Sequence, residues 1–516
     1  MMHVYRPVLE VLMQRGVQAP HAFLRPSKWA DLPEPTTIEG VAEAVSLLLS
    51  AVREGLKMTI FGDYDCDGAL SSAILEATLL RLGAAVDVYL PHRDEGYGLS
   101  EAAVHRFSRA GTKVLITIDN GINAAGPVHL AQRLGIRVLV IDHHQIETRA
   151  HTQAVWSDEF CAAGLAYMVS LALLQQSNLA AESRDAFLAS LSRLAAIASI
   201  ADCVPLSGAT RTLTRLGLAE LSKTTHAGLR KLMDLGGIMR TKVPSAEEIA
   251  FRIGPRLNAA GRVGHPVEVL QMLKARTREE QSRLALELDR LNLMRRRLEK
   301  EALEELTSMV DAREQSVLVL YAAHWRKGLA GILASRARER FGVPTFVLVH
   351  DPKTGMAVGS GRSIGGISLI AALRSCKDVL HRYGGHQQAA GVTVAVEAIP
   401  AFREALLRYV EEHPAPREAL PLEDANLELR DATPSFYEQL RAMEPFGIGN
   451  PVPVFRVLAA SIHPRTEKFV TVRQGSHELK TRASGSVGKE ELGTALIALN
   501  GSSATLVSFI PDARKH

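Results

Sequence analysis

A chain of 516 residues with 47% hydrophobic and 22% charged residues is globular in composition and too long for one core, which points to three or four domains. No apolar run is long enough to span a bilayer, and Cys66, Cys161, Cys203 and Cys376 show no CxxC spacing, so the expectation is a cytoplasmic protein with no membrane contact and no disulfide framework. The net charge of +4 is mildly basic, which permits nucleic acid as a partner without requiring it.

The opening segment, MMHVYRPVLEVLMQRG, carries Arg6, Glu10 and Arg15 inside an apolar pattern, which argues for a helical arm and against a signal peptide. Three short, β-branched apolar runs follow at Lys57 to Phe61, Val114 to Ile118 and Arg137 to Ile141, separated by helix-like stretches. This is the pattern of βαβ units and a parallel sheet. Each run ends within two residues of an aspartate. The segments are GDYDCDG, with Asp63, Asp65 and Asp67; ITIDNG, with Asp119; and IDHH, with Asp142, His143 and His144. Ligands of open α/β sheets bind outside the carboxyl ends of the strands, so these loops should converge on one crevice. Asp202, in ASIADCVP, would join them from a neighbouring helix or loop.

Carboxylates gathered in this number without a cation would repel and raise one another's pKa, so the expected site is a dinuclear centre for divalent metal. Mixed imidazole and carboxylate donors suit Mn²⁺ better than an all-oxygen magnesium cage, with Mg²⁺ as the alternative. An EF-hand reading of DYDCDG fails because Ile74 stands where that loop needs glutamate and the preceding segment reads as a strand. A solvated acidic turn would explain one such segment but not three at equivalent strand ends. Cys66 and Cys203, beside the aspartates, read as small buried side chains.

Residues 206–265 read as helices and loops, and Val267 to Asp311 as strongly helical. Leu284, Leu288, Leu291, Leu298 and Leu306 fall near one face there, in a segment long enough to separate two domains. A second α/β unit opens at SVLVLYAA and runs through a helix at Ile332 to Phe341, the strand TFVLV and the glycine-rich GSGRSIGG, closing near Pro414. Ser360 and Arg362, and separately Gly384, Gly385 and His386, are expected on loops that chelate phosphate oxygens, with tight turns as the plain alternative. From about Asn426, short β-like runs separated by Gly, Pro and Asn suggest a small β-barrel.

Together these segments resemble the DHH phosphoesterase superfamily. FGDYDCDG, TIDNG, IDHH and IADCVPL look like its acidic motifs. FRIGPRLNAAGRVG, GSGRS, YGGHQQAAG and EPFGIGNPVPVF narrow the likeness to RecJ-type single-stranded-DNA-specific exonucleases. The resemblance implies an α/β protein with a parallel-sheet DHH domain and its N-terminal arm (1–205), and a connector with a long helix (206–311). A smaller α/β DHHA1-like domain (312–414) and an OB-like β-barrel (420–516) would follow.

The same resemblance implies Asp65, Asp67, Asp119, His143 and Asp202 as direct ligands of two Mn²⁺ or Mg²⁺ ions. Asp119 is the natural bridge, and Asp63, Asp142 and His144 would complete the shell, orient ligands or touch substrate. Ser360 and Arg362 would grip a terminal 5′ phosphate, with Arg262 and Arg93 assisting, and the Gly384-Gly385-His386 segment would offer a similar phosphate loop. The implied activity is 5′→3′ hydrolysis of single-stranded DNA to 5′-mononucleotides in recombination or repair. A single-strand-binding protein or a helicase is a candidate delivery partner. Two rivals share the fold: a phosphoesterase for short oligonucleotides or cyclic dinucleotides, and a non-catalytic nucleic-acid-binding scaffold. The barrel-like region and GPRLNAAGR argue against the first, and the full set of acidic positions against the second.

The chain departs from the family pattern in three places. Arg326 follows Trp325 where the family often has histidine, and His324 precedes it. The stretch between His144 and CAAGLAYMV is short, so substrate entry is expected to differ. The run ending SFIPDARKH leaves the barrel short of its last expected strands, which predicts an incomplete barrel with an exposed edge. Affinity and processivity would suffer, because the metal motifs lie elsewhere in sequence.

Overall fold

The apolar runs form the centre of a five-stranded parallel sheet. Its strands are β1 (Met58–Phe61), β2 (Val86–Tyr89), β3 (Val114–Ile118), β4 (Arg137–Asp142) and β5 (Gln153–Trp156), in the order β2-β1-β3-β4-β5. The structure, a computed structural model, describes residues 4–239, 241–310, 316–414, 423–466, 468–483, 490–501 and 503–511. Alternate side chains of the central strands enter two cores: Ile60, Ile116, Ile118, Leu139 and Ile141 on one face, and Phe61, Leu115, Val138 and Val140 on the other. A strand buried on both faces must be apolar throughout, which is why these runs are continuous rather than alternating. The edge strands β2 and β5 are not. β5 occupies the stretch after His144, so the short connection there contains a whole strand.

The long helix divides at Ala275–Thr277 into Val267–Lys274 and Arg278–Met309. The second part has 32 residues and spans about 48 Å at 1.5 Å per residue. Leu284, Leu288 and Leu291 pack in the core of the first sheet, whereas Leu306 packs in that of the second α/β unit. One helix therefore belongs to both cores and fixes their spacing.

The second unit holds a mixed sheet of β6 (Leu318–Ala322), β7 (Thr345–Asp351), β8 (Met356–Arg362), β9 (Arg382–Gly385) and β10 (Ala389–Val394), ordered β6-β7-β8-β10-β9. This corrects the loop reading of both phosphate-loop candidates. Ser360 and Arg362 stand on β8 between two neighbours, and Gly384 and Gly385 on the edge strand β9, with His386 in the turn that follows. The glycines of GSGRS are there for packing. A Cβ on Gly359 would lie 2.1 Å from the Val347 carbonyl oxygen, and one on Gly361 would lie 2.4 Å from the Phe346 ring.

The C-terminal domain comprises β11 (Ala425–Asn426), β12 (Val454–Thr466), β13 (Phe469–Gln474), β14 (His477–Ala483), β15 (Glu490–Leu499) and β16 (Ala504–Pro511). The expected open barrel is not found. β12 pairs with β15 and β13, β13 with β14, β14 with β16, and β16 with β15, so the ring of hydrogen-bonded strands closes. Closure depends on the length of β12 and on its register shifts between Val457 and Ile462, where Ala459 takes a φ of 50°. That bulge bends one strand far enough to serve two neighbours.

The N-terminal arm was expected with the first sheet and packs elsewhere. Val8, Val11, Leu12 and Leu24 share a core with Phe436, Leu440 and Phe455 of the C-terminal domain. Tyr5 donates its backbone N–H to Gln439 Oε1 at 2.9 Å, and Arg15 pairs with Asp424 at 3.3 Å. Among the described residues, no single helix is long and apolar enough to cross a membrane.

Candidate metal centre and anion pocket

The four acidic segments meet at the carboxyl ends of β1, β3 and β4. Asp65 caps the helix Cys66–Arg81, accepting the Gly68 N–H at 3.0 Å, and Asp67 lies in its first turn, where the helix dipole favours negative charge. The Asp67 carboxylate also accepts the N–H groups of Ala162 (2.8 Å) and Ala163 (2.9 Å), at the start of the helix Ala162–Gln175. Asp119 follows β3 with a left-handed φ of 63°, a conformation aspartate tolerates better than most residues. Asp202 caps the carboxyl end of the helix Ala181–Ala201, so it does come from a neighbouring helix.

His143 sits at the centre of this cluster. Its Nε2 lies 3.3 Å from Asp119 Oδ1, 3.6 Å from Asp202 Oδ2 and 3.7 Å from Asp67 Oδ2. Burial lowers the His143 pKa against the pull of the nearby carboxylates and so favours the neutral ring, in which Nε2, without a hydrogen-bond partner, can present a lone pair to three carboxylates. Lone pairs facing one another at these distances are reconciled by a cation. Asp63 Oδ1 is likewise buried without a partner. Three overlapping donor sets result, each with ligand atoms within 4.8 Å of one another: Asp67, His143 and Asp202; Asp63, Asp65 and Asp119; and, sharing residues with both, Asp119, His143 and His144. Nitrogen and oxygen donors of this kind fit a pair of divalent ions.

Asp142 and His144 are arranged differently. Asp142 accepts N–H groups from Ile122, His143 and His144 and holds His144 Nδ1 at 2.7 Å, and these bonds outweigh burial to lower its pKa. The His144 ring is raised in turn, chiefly by Asp142 acting against burial, and its Nε2 lies 3.2 Å from the Tyr97 hydroxyl. Asp142 thus positions His144, whereas His143 faces the carboxylates.

Burial, followed by mutual repulsion, pushes the Asp63, Asp119 and Asp202 carboxyls well above their usual range; Asp67 is raised as well. A raised folded pKa means that the native state binds more protons than the unfolded chain, so stability is lost as pH climbs from about 4 through the raised values. A divalent cation replaces those protons. The rise in melting temperature on adding Mn²⁺ to chelator-treated protein is therefore expected to be larger near pH 8 than near pH 5 (about one pH unit above and two below neutrality). Differential scanning fluorimetry checks this, and a gain that shrinks with pH contradicts it.

A second set of residues adjoins the acidic one. Arg93 lies over the Tyr64 ring, 4.0 Å from its centroid, and donates Nε–H to the Gly261 carbonyl at 2.9 Å. Arg262 donates to the Gly328 carbonyl at 3.2 Å, and Arg362 Nη1 donates to Ser360 Oγ at 2.7 Å. Arg262 is pulled down to about 10 by burial and then by Arg93, with Arg295 and Arg362 acting the same way and Asp65 opposing. Among the described residues, Arg93, Arg262 and Arg362 form no ion pair with a carboxylate. Guanidiniums from three parts of the chain are thus crowded together without a salt-bridge partner, which suits an anion. The turn bearing His386 lies beside them, with the Ser363 N–H donating to the Gln388 carbonyl, but His386 makes no polar contact with these arginines.

Sequence reasoning missed several residues here. Asn258 accepts the Cys66 N–H through Oδ1 at 2.9 Å and so fixes the start of the metal-loop helix. A π-helical turn at Ile249–Ile253 precedes the helix Gly254–Val263 that carries Asn258 and Arg262, an irregularity common at functional sites. Tyr97, 55% exposed, offers an aromatic face beside His144. Cys66 is buried as expected, but Cys203 is exposed at a φ of 61°. His324 and Trp325 both bond Glu305 of the long helix, at 2.9 and 2.8 Å, which is a docking role, and Arg326 is exposed.

Comparison with known proteins agrees with this architecture. Residues 57–198 match the DHH family N-terminal domain, 314–412 the DHHA1 domain and 423–483 the RecJ OB domain. The single-stranded-DNA-specific exonuclease RecJ of Bacillus subtilis is 32% identical over 93% of this chain, which spans 63% of that relative's length. RecJ of Escherichia coli is 32% identical over 81% of this chain and 78% of its own. The crystal structure of RecJ in complex with Mn²⁺ from Thermus thermophilus superposes with a TM-score of 0.83 at 29% identity, covering 98% of this chain and 76% of that one. With its three domain types in this order and its likeness to these relatives, the chain belongs to the RecJ family of DHH proteins.

Proposed function

We propose that the chain is a single-stranded-DNA-specific exonuclease that works inward from a 5′ end with two divalent ions, Mn²⁺ or Mg²⁺. It would release 5′-mononucleotides, in DNA recombination or repair. The observation that carries this reading is the adjacency of the clustered carboxylate and imidazole donors to a pocket of arginines that form no salt bridge with a carboxylate. The two regions touch: Arg93 stacks on Tyr64, which lies between Asp63 and Asp65, and Arg262 senses the Asp65 charge.

Asp67, His143 and Asp202 would hold one ion and Asp63, Asp65 and Asp119 the other, with Asp119 beside both. When bound, such a pair supplies the charge that stabilises the attacking and leaving oxygens of an in-line displacement at phosphorus. Asp142 orients the His144 ring and favours its protonated form, in which Nε2–H would meet a phosphate oxygen near Tyr97. Arg362, Ser360, Arg262 and Arg93 would hold the terminal 5′ phosphate, whose extra charge distinguishes that end from a 3′ hydroxyl. The two α/β units are tied across this region by Lys353, which donates to the Asp94 carbonyl at 2.8 Å, and by Arg262. That closeness supports passage of one strand rather than a duplex, with the Tyr97 ring as a stacking face. Four unpaired cysteines support a reducing cytoplasm as the compartment.

A 3′-labelled single strand bearing a 5′ phosphate, digested with Mn²⁺, is expected to shorten stepwise and keep its label until last. Label among the first products contradicts the polarity, and equal digestion of a duplex contradicts the strand preference.

A further inference from the structure

The geometry assigns the turn at Gly447–Asn450 of the C-terminal domain as the positioning element for Asp202, and through it for the cation subsite of Asp67, His143 and Asp202. The inference rests on the two-ion reading above. Asp67 is held by two N–H groups, Asp142 by three, and Asp65 by one. Among the described residues, the Asp202 carboxylate accepts no hydrogen bond from an N–H or O–H group, and its polar contact is His143 Nε2. Its place therefore falls to the backbone that carries it.

That backbone leaves the helix Ala181–Ala201 in a strained exit. Cys203 is left-handed, with its N–H on the Ile200 carbonyl at 3.3 Å, and the Val204 N–H reaches Ser199. The next support comes from a distant part of the chain: the Leu206 N–H donates to the Ile448 carbonyl at 2.7 Å. Contact is close enough to need glycine on the other side. A Cβ on Gly449, whose φ is +74°, would lie 3.0 Å from the Pro205 Cβ, and one on Gly447 would lie 2.8 Å from Leu206 Cδ1.

The turn itself is braced. Asn450, nearly inaccessible, donates Nδ2–H to the carbonyls of Met443 (2.9 Å) and Pro445 (2.8 Å) and accepts from Arg15 at 2.9 Å. The buried Arg211 donates to the carbonyls of Ala442, Met443 and Glu444 just ahead of it. A rigid clamp thus bears on residues 205 and 206, immediately downstream of Asp202. The C-terminal domain, far from the metal motifs in sequence, thus bears in space on the segment that carries Asp202.

The test is calorimetric titration of the full chain with Mn²⁺, without DNA. Gly449→Val is expected to weaken one of two Mn²⁺ sites about 10- to 100-fold, the range for losing an outer support of a ligand. Gly475→Ala, also at positive φ but in open space within a barrel hairpin, should leave both sites intact. In an Asp202→Asn background, Gly449→Val should have no further effect on binding. If circular dichroism shows Gly449→Val unfolded, Gly447→Ala carries the test, since its methyl meets only the end of the Leu206 side chain. Wild-type affinity at both sites in the folded variants, or an equal loss with Asp202 already replaced, overturns the inference while leaving the two-ion reading intact. A wild-type chain that binds no Mn²⁺ overturns both.

Discussion

Asp119→Asn is expected to lower hydrolysis of single-stranded DNA by about 10³-fold or more, the equivalent of the several kcal/mol that metal charge stabilisation supplies to such a transition state. Asparagine is the informative choice because it tolerates the left-handed backbone that Asp119 adopts and nearly matches it in shape, so the change removes charge with little strain. Asp119 belongs to two of the three donor sets and lies 3.3 Å from His143 of the other, which makes this the substitution that should disturb both ions. Without metal, the same variant should melt no lower than the wild type, since a buried carboxylate raised by burial and by Asp67, Asp65, Asp63 and Asp202 has been neutralised. Activity within tenfold of wild type, measured with saturating Mn²⁺, would remove Asp119 from the centre.

Arg362→Met is expected to abolish discrimination between 5′-phosphorylated and 5′-hydroxyl strands. Loss of charge-assisted hydrogen bonds of about 1.5–3 kcal/mol corresponds to a fall in kcat/KM on the phosphorylated strand of roughly 10- to 150-fold. The 5′-hydroxyl strand should be cut almost as before, and Mn²⁺ affinity should not change. Arg362→Lys should not restore discrimination, because the guanidinium spends one nitrogen on Ser360 Oγ and the Gly361 carbonyl while another faces the start of the helix Ala330–Phe341. Paired digestion of the two strands checks this, and an unchanged preference refutes the pocket.

The centre of the fold was legible because burial on both faces leaves a local mark. β1, β3 and β4 are continuous apolar runs, and the acidic residues stand at their ends in the chain itself. The edge strand β2 reads VDVY and is half exposed, so nothing local separates it from a loop. GSGRS looked like a loop because glycine usually marks one; here Phe346 and Leu348 fill the space that side chains would need, which is information from a neighbouring strand. Asn258 could not be read because its partner is a backbone N–H far away in sequence, and backbone groups leave no trace in composition. Barrel closure was misjudged for a related reason: counting strands does not reveal that a bulged β12 serves two neighbours.

The seating of the opening helix has a practical consequence. Val8, Val11 and Leu12 have no core of their own and borrow that of Phe436 and Phe455, so the polypeptide is buckled back on itself, with the metal-bearing unit lying in sequence between the two halves of one core. Trimming the barrel away would not yield a smaller protein with tidy edges. It would leave the arm as a sticky, unhoused amphipathic flap, and would release the catch that bears on Leu206.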